Sequence, residues 1–546
     1  MSTRERWGTR IGLVLAMAGN AVGLGNFLRF PAQVAQNGGG VFLVPYFISF
    51  LLMGLPLLWV EWAIGRYGGQ YGEHSTPGMF DHMGRYRWLK YVGVFGLFTN
   101  LTVAAYYCYL ESWTLAYVWH SAIGTFSRVD AAEFFPRYLG VGADSVFALP
   151  LQALLFFPLT LALNTFILSR GLVRGIELAA KIGLPLLVVF AVVLAVRGLS
   201  LQPGDPGVVE SPIAGLGFIW TPQLSGLLSP TTWMAAAGQI FFTLSVGMGS
   251  IHCYASYVRA KQDIALNAAA AGWMNEFVEV VLGGSIMIPI ATAYLGLVAV
   301  QTATAGGSGF GLGFLTIPTL LNNWGWFAPL AGAMWFGLLF FAGITSSLAM
   351  GQPILAFLQD KFAMSRVRAA LAFGTVTFSL GFICVWLYPG GAFDEFDFWS
   401  GTFSLVIFAL AEAIVFAWIF GINRGWAEIT RGADLVVPNV FRFIIKFVTP
   451  VFILVVFVGA LIQPMGRAWG AAFRSLFAGE GWPFAPESVL GRILHLGDPT
   501  YAWFDALGQP TVALVQDGTR LLLLLVFLAC AALVWMAWRR MEGEPS

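Results

Sequence analysis

Twelve apolar runs dominate this 546-residue chain, and each is long enough to cross a bilayer. The hydrocarbon core takes about 20 residues of helix. On that rule the spans fall near 10–35, 41–68, 89–120, 146–169, 175–197, 231–257, 263–299, 327–358, 367–387, 397–421, 438–463 and 519–538. Several exceed what a bilayer needs, which implies tilt or helical extension into water. Only 10% of the residues are charged, whereas soluble proteins carry about 25%. The fold class that follows is an all-α polytopic membrane protein with twelve transmembrane helices. The opening "MSTRERWGTR" and "IGLVLAMA" together look like a secretory signal, but eleven further spans make its cleavage unnecessary.

An even number of spans puts both termini on one side, and Lys and Arg decide which side. With the N-terminus inside, 21 of the 29 basic residues fall on cytoplasmic segments or span ends. The expected location is the plasma (inner) membrane, multi-pass, with both termini cytoplasmic. Three outer segments are long: 198–230, 300–326 and 464–518. In the second, "FLTIPTLLNNWG" is apolar enough to dip back between helices. The third is expected to include a short amphipathic helix at the membrane surface. A net charge of +1 without a basic block gives no sign of nucleic acid. Four cysteines without CxxC spacing and five scattered histidines predict neither disulfide nor metal cluster. No nucleophile–base pair appears, so the chain does not read as an enzyme.

Two of the spans are interrupted. The first contains "AGNAVGLGN" and the sixth "FTLSVGMGS", each placing paired glycines near mid-depth. The two lie five spans apart, in halves of opposite orientation. Glycine also serves close helix packing. Two matching breaks, flanked by Asn26, Thr243 and Ser245, favour a transporter's binding site instead. Breaking a helix in lipid frees backbone groups that cost several kcal/mol if unpaired. Freed carbonyls with Asn and Thr oxygens suit Na⁺, and freed amides at a half-helix N-terminus suit a carboxylate. An amino acid supplies that carboxylate.

The opening "WGTRIGLVLAMAGNAVGLGNFLRFPAQVAQNGGGVFLVPYF" resembles the neurotransmitter:sodium symporter family, and especially its bacterial leucine-transporting members. The resemblance continues through "YYCYLESWTLAY", "GQIFFTLSVGMG", "YASYVR", "NEFVEVVLGGS", "FFAGITSSLAMGQP" and "DEFDFWSGT" and lapses only over 464–518. The broken-helix rule was itself drawn in part from this family, so these motifs carry the likeness. The implied fold is a LeuT-like 5+5 inverted repeat with broken helices 1 and 6. Residues 1–197 would form the first half, 198–230 an extracellular loop and 231–421 the second half. Residues 422–546 would hold the last two helices and the long extracellular loop 464–518.

The resemblance also implies roles, with two sodium sites. One Na⁺ would be held by the Ala21 carbonyl, Asn26, Thr243, Asn275 and the substrate carboxylate. The other would be held by carbonyls of Gly19, Val22 and Ala342 with the hydroxyls of Thr345 and Ser346. The substrate would sit against Ala21, Leu24, Gly25, Val103, Tyr107, Phe242, Thr243, Ser245, Met248, Ser346 and Met350. Tyr107 would bind its carboxylate and, with Phe242, form a lid. Arg29 and Asp397 would pair across the outer vestibule; Arg4 and Asp360, with Trp7, Ser256 and Tyr257, would close the cytoplasmic gate.

Glu279 lies one helical turn beyond Asn275, where chloride-dependent members are neutral; Tyr46, Gln239 and Thr243 match its surroundings. A built-in carboxylate predicts chloride independence, and its protonation on sodium release would give proton counter-movement. Glu61, Glu111 and Glu412 read as structural polar contacts, and His252 as a satisfied helix–helix hydrogen bond. No acidic residue stands where amine carriers hold the substrate amine. Met248 and Met350, flexible and polarizable, with slack from Gly351, point to bulky neutral amino acids, from leucine and methionine to the aromatic ones, tryptophan included. The expected partners are thus a neutral amino acid, Na⁺ and membrane lipid, and a homodimer stays open. A channel-like carrier and a non-transporting amino-acid sensor are the competing readings.

Overall fold

The computed structural model describes residues 5–141, 147–305, 309–494 and 510–543. Among the described residues no strand forms, only two isolated bridges. That is the expected outcome in lipid, where a helix satisfies its own backbone without water. Ten continuous helices are long and apolar enough to cross a membrane, and two interrupted ones complete the twelve.

In chain order, the first interrupted span is α1 (Arg10–Ala21), a single turn (Leu24–Phe27) and α2 (Arg29–Gln36). Continuous spans follow as α3 (Gly40–Gln70), α4 (Leu89–Ala122), α5 (Leu151–Ser169) and α6 (Leu172–Leu199). The second interrupted span is α7 (Pro230–Leu244) with α8 (Ser250–Ser256). After it come α9 (Ala265–Leu295), α10 (Gly309–Phe362), α11 (Arg366–Trp386), α12 (Ala392–Thr430), α13 (Val440–Leu461) and α14 (Val512–Met541).

Burial separates inside from outside. The most apolar stretches of α4 and α9 are 83% buried within the protein, against 28% for α13 and α14. The first two therefore form the interior, and the last two are faced by lipid.

The outer segments carry more structure than loops. Pro212–Trp220 is a helix packed on α9, where a Cβ at Gly215 would fall 2.6 Å from Thr292 Oγ1. The stretch expected to dip back between helices is helical and forms the first part of α10, before a bend at Gly325 (φ 59°, ψ −127°), with Phe314, Ile317 and Leu321 buried. In the long segment the expected amphipathic helix forms at Trp469–Phe477, with Phe477 85% exposed.

Both interruptions have visible backbone causes. After α1 the chain extends through Val22 (φ −71°, ψ 96°) and Gly23 (φ −119°, ψ −169°). After α7 it turns left-handed at Ser245 (φ 54°), Gly247 (φ 73°) and Gly249 (φ 97°). Glycine is the residue that tolerates this region freely. Gly247 is also sterically required, since a Cβ there would lie 2.4 Å from the Leu405 carbonyl oxygen. Ser245 takes the strained conformation with its hydroxyl donating to the Asn20 carbonyl at 3.0 Å. That bond ties the two interruptions together.

Candidate functional site

The two breaks meet at an internal cavity closed by α4, α10 and α12. Ten of the eleven residues expected around a substrate line it. Ala21 and Gly25 come from the first break, and Val103 and Tyr107 from α4. Phe242, Thr243, Ser245 and Met248 come from the second break, and Ser346 and Met350 from α10. Leu24 is not among the lining residues. It contributes its backbone, whose N–H donates to Tyr107 Oη at 3.1 Å. The cavity wall also includes Gly23, Tyr106, Gly401 and Leu405. Only the register of α12 against the breaks could reveal the last two.

Missing side chains shape this space. A Cβ on Gly25 would lie 2.4 Å from Phe242 Cε1, and one on Gly23 would lie 2.8 Å from Tyr107 Oη. Gly351 behaves otherwise than expected. A Cβ there would sit 2.5 Å from Leu168 Cδ1 and 3.0 Å from Phe373 Cε1, so this glycine permits close helix packing and gives Met350 no slack.

Beside the cavity, Asn26 organises a buried polar cluster. Its Nδ2 donates to Asn275 Oδ1 (2.8 Å), Thr243 Oγ1 (3.1 Å) and Glu279 Oε2 (3.2 Å), while its Oδ1 accepts from the Gly23 N–H (2.8 Å). Glu279 also accepts from Gln239 Nε2 at 2.5 Å and from the Thr243 hydroxyl. The turn Phe277–Gly283 that carries Glu279 is π-helical, a widening frequent at functional sites. Glu276 is a second buried carboxylate here, accepting from Asn275 Nδ2 at 3.4 Å. Tyr46 is fully buried on α3.

A second oxygen cluster lies where α1 touches α10. Ser346 Oγ stands 3.2 Å from the Gly19 carbonyl oxygen and 3.2 Å from that of Ala342. Thr345 Oγ1 stands 3.2 Å from the same Ala342 oxygen. A Cβ on Gly19 would lie 2.9 Å from Thr345 Cβ, and Val22 sits buried at the break itself. Both clusters are sets of oxygens, amide, hydroxyl and carboxylate in the first and carbonyl and hydroxyl in the second. That donor set fits a hard cation.

The gate residues are arranged partly as expected. Arg29 does not pair with Asp397: among the described residues no ion pair joins them, and the guanidinium stacks 4.5 Å over the Phe242 ring. The aromatic face offers the cation an attractive partner at the cavity roof. Asp397 faces Gly401 from the same side as Tyr106; a Cβ at Gly401 would lie 3.1 Å from Asp397 Oδ1 and 2.3 Å from Tyr106 Oη.

At the opposite end, Asp360 Oδ2 accepts the His74 N–H at 3.0 Å, and Ser256 Oγ meets His74 Nδ1 at 2.8 Å. The His74 ring stacks on Tyr257 at 4.3 Å, and Tyr257 Oη accepts from Gln352 at 3.0 Å. Trp7 Nε1 donates to the Tyr254 carbonyl at 3.0 Å. Arg4 lies outside the described residues. Near this end Arg366 bonds Glu5 (2.7 Å) and Gln352 (2.8 Å). Gln352 lies in the quoted motif "FFAGITSSLAMGQP" without a role assigned to it, and His74 and Arg366 lie in no quoted motif.

Of the other buried carboxylates, Glu111 is a structural contact as expected, with both oxygens accepting from Asn164 at 3.1 Å. Glu61, His252 and Glu412 do not behave as three separate contacts; they form one cluster.

A helical membrane protein with two interrupted spans facing one enclosed, oxygen-lined cavity belongs to the class of broken-helix secondary transporters. More particularly, the chain belongs to the sodium:neurotransmitter symporter family, whose profile matches residues 4–129 and 125–490. It is thus a sodium-coupled transporter and not an enzyme. An uncharacterized sodium-dependent transporter of Methanocaldococcus jannaschii is 29% identical over 460 residues, covering 83% of this chain and 89% of its own. A sodium-dependent nutrient amino acid transporter 1 of Drosophila grimshawi is 25% identical over 503 residues, covering 84% and 77%. Among solved structures, that of MhsT in complex with L-phenylalanine is similar with a TM-score of 0.71 and 28% identity, covering 84% of this chain and 99% of that one.

Proposed function

We propose that this protein couples the downhill flow of Na⁺ to uptake of neutral hydrophobic amino acids, from leucine and methionine to phenylalanine, tyrosine and tryptophan, without chloride. The observation that carries the substrate class is the pairing of Met248 and Met350 in the cavity wall, with no charged side chain among the lining residues. Thioethers adapt to bulky groups and touch aromatic rings favourably. The phenylalanine complex of MhsT supports the aromatic end of this range.

The substrate carboxylate is received between Tyr107 and the first break. Tyr107 Oη already accepts the Leu24 N–H, which leaves its own hydrogen free to donate to that carboxylate. The cluster around Asn26 with the Ala21 carbonyl takes one Na⁺, which the carboxylate then completes. The cluster of Gly19, Val22, Ala342, Thr345 and Ser346 takes the other. Substrate and ion thus share ligands, and each stabilises the other's site. Phe242, roofed by Arg29, closes the outer side, and the His74–Tyr257–Asp360 group closes the inner side. Glu279 supplies the fixed negative charge beside the first Na⁺ in place of chloride. Both termini face the cytoplasm of a plasma membrane, as the distribution of basic residues supports.

Purified protein in proteoliposomes tests this. With an inward Na⁺ gradient it concentrates labelled leucine, unlabelled phenylalanine and tryptophan compete, and replacing chloride with gluconate leaves the rate unchanged. Uptake that needs external chloride removes the role given to Glu279. Equilibration without concentration would mean a channel-like carrier.

A further inference from the structure

Apart from the cavity, three ionisable side chains from three separate spans converge in the protein interior: Glu61 on α3, His252 on α8 and Glu412 on α12. All three are fully buried. His252 Nδ1 stands 3.2 Å from Glu61 Oε2, and its Nε2 stands 3.2 Å from Glu412 Oε2. One potential ligand atom from each side chain lies within 4.8 Å of the other two.

The charges do not cancel. A doubly protonated imidazole offsets one of two carboxylates and leaves the other uncompensated, in a medium where an isolated charge is costly. Among the described residues neither Glu61 nor Glu412 has another ion-pair partner. Among the described residues no further charged side chain forms an ion pair with any of the three. The rings of Phe80 and Phe408 stand 6.2 Å and 5.8 Å from the imidazole. The titratable neighbours of His252 on its own helix are Cys253 and Tyr254.

The two carboxylates are not equivalent. Glu61 Oε1 accepts the Gly247 N–H at 2.6 Å and so braces the left-handed break before α8. Both oxygens of Glu412, and both ring nitrogens, have no hydrogen bond of good geometry. Glu412 is the group with spare capacity for a proton.

We propose that Glu61, His252 and Glu412 form a proton-binding site, distinct from Glu279, in which Glu412 takes up one proton from bulk water. The balance is simple: an O–H bond forms on Glu412, the proton comes from solvent, and no other bond breaks. Imidazolium then lies between one carboxyl and one carboxylate with no net charge. Like charges this close resolve themselves by sharing protons. The carboxylates flank opposite nitrogens of one ring, so a metal ion occupying one nitrogen would leave the other carboxylate without it. Glu61 holds Gly247, so the charge of the site bears on the second helix break and makes transport depend on pH.

Infrared difference spectroscopy of the full-length purified protein reads the proton directly. Between about pH 5 and pH 8, a range reached by buried carboxyls that face a like charge, lowering the pH should raise the carbonyl band of a protonated carboxyl. The band should vanish in Glu412→Gln and persist in Glu279→Gln. Should Glu412→Gln not fold, His252→Gln serves: the band stays, with its midpoint displaced by about one pH unit or more. Sodium-driven uptake should lose one pH-dependent step in the Glu412 variant, whereas a merely structural role would scale the whole profile. A band unmoved by both variants overturns the proposal. So does stoichiometric Zn²⁺ binding in equilibrium dialysis that His252→Gln abolishes, since the cluster would then be a metal site.

Discussion

Gly19→Ala places one methyl group against one of the two proposed sodium sites, and the structure sets the size of the effect. The new Cβ would lie 2.9 Å from Thr345 Cβ, 3.0 Å from Leu184 Cδ1 and 3.2 Å from Thr345 Oγ1. Carbon atoms rest at about 3.5–4.0 Å, so Thr345 must retreat by about 0.6 Å or more. Overpacking of this kind costs about 1–3 kcal/mol. The displaced hydroxyl is a proposed Na⁺ ligand, so much of that cost falls on ion binding. The expected result is a rise of about 5- to 150-fold in the Na⁺ concentration that half-saturates leucine binding. Scintillation-proximity binding across a Na⁺ titration measures it. Gly198→Ala is the control: its Cβ would crowd Ile290 Cγ1 at 2.6 Å, away from the oxygen clusters. That variant should lose stability and keep the Na⁺ dependence of the parent. If Gly19→Ala folds and binds leucine with unaltered Na⁺ dependence, the assignment of Gly19, Thr345 and their neighbours to sodium is refuted.

Three further outcomes are expected. Glu279→Ser removes the fixed charge bonded by Gln239, Asn26 and Thr243, and uptake in proteoliposomes should become dependent on external chloride; uptake still indifferent to chloride contradicts the role. Met350→Ile stiffens one cavity wall and should move selectivity from phenylalanine towards leucine by about 1–3 kcal/mol, read as the ratio of inhibition constants in competition uptake. His74→Ala deletes the stack on Tyr257 and the hydrogen bond to Ser256. The inner side should then open more readily, seen as faster labelling of a cysteine introduced at Ser256 in a variant lacking reactive native thiols.

The parts of the molecule visible in its sequence are those governed by local rules. Interruption of the first and sixth spans was legible because paired glycines inside an apolar run conflict with a continuous helix. The oxygen clusters were legible through long motifs, and Asn26, Thr243 and Asn275 do meet. What stayed hidden depends on packing between distant segments. Gly351 announces the absence of a side chain but not that Leu168 and Phe373 fill the space. The acidic motif near Arg29 did not foretell that its guanidinium would stack on Phe242, a ring whose fit depends on the missing side chain of Gly25. Glu61, His252 and Glu412 each look like an isolated polar residue, because the spans that unite them are far apart along the chain. The start of α10 is rich in glycine and apolar residues, and its close approach to the first interrupted span is not legible in them: a Cβ on Gly309 would strike the Leu28 carbonyl oxygen at 2.0 Å.

The central claim is that backbone oxygens exposed at two helix breaks bind alkali cations and thereby govern substrate binding. Equilibrium binding of labelled leucine to the purified protein, with Na⁺ replaced by K⁺ at constant ionic strength, tests it most directly. Binding should be saturable in Na⁺ and absent in K⁺; equal affinity in the two salts would contradict the account.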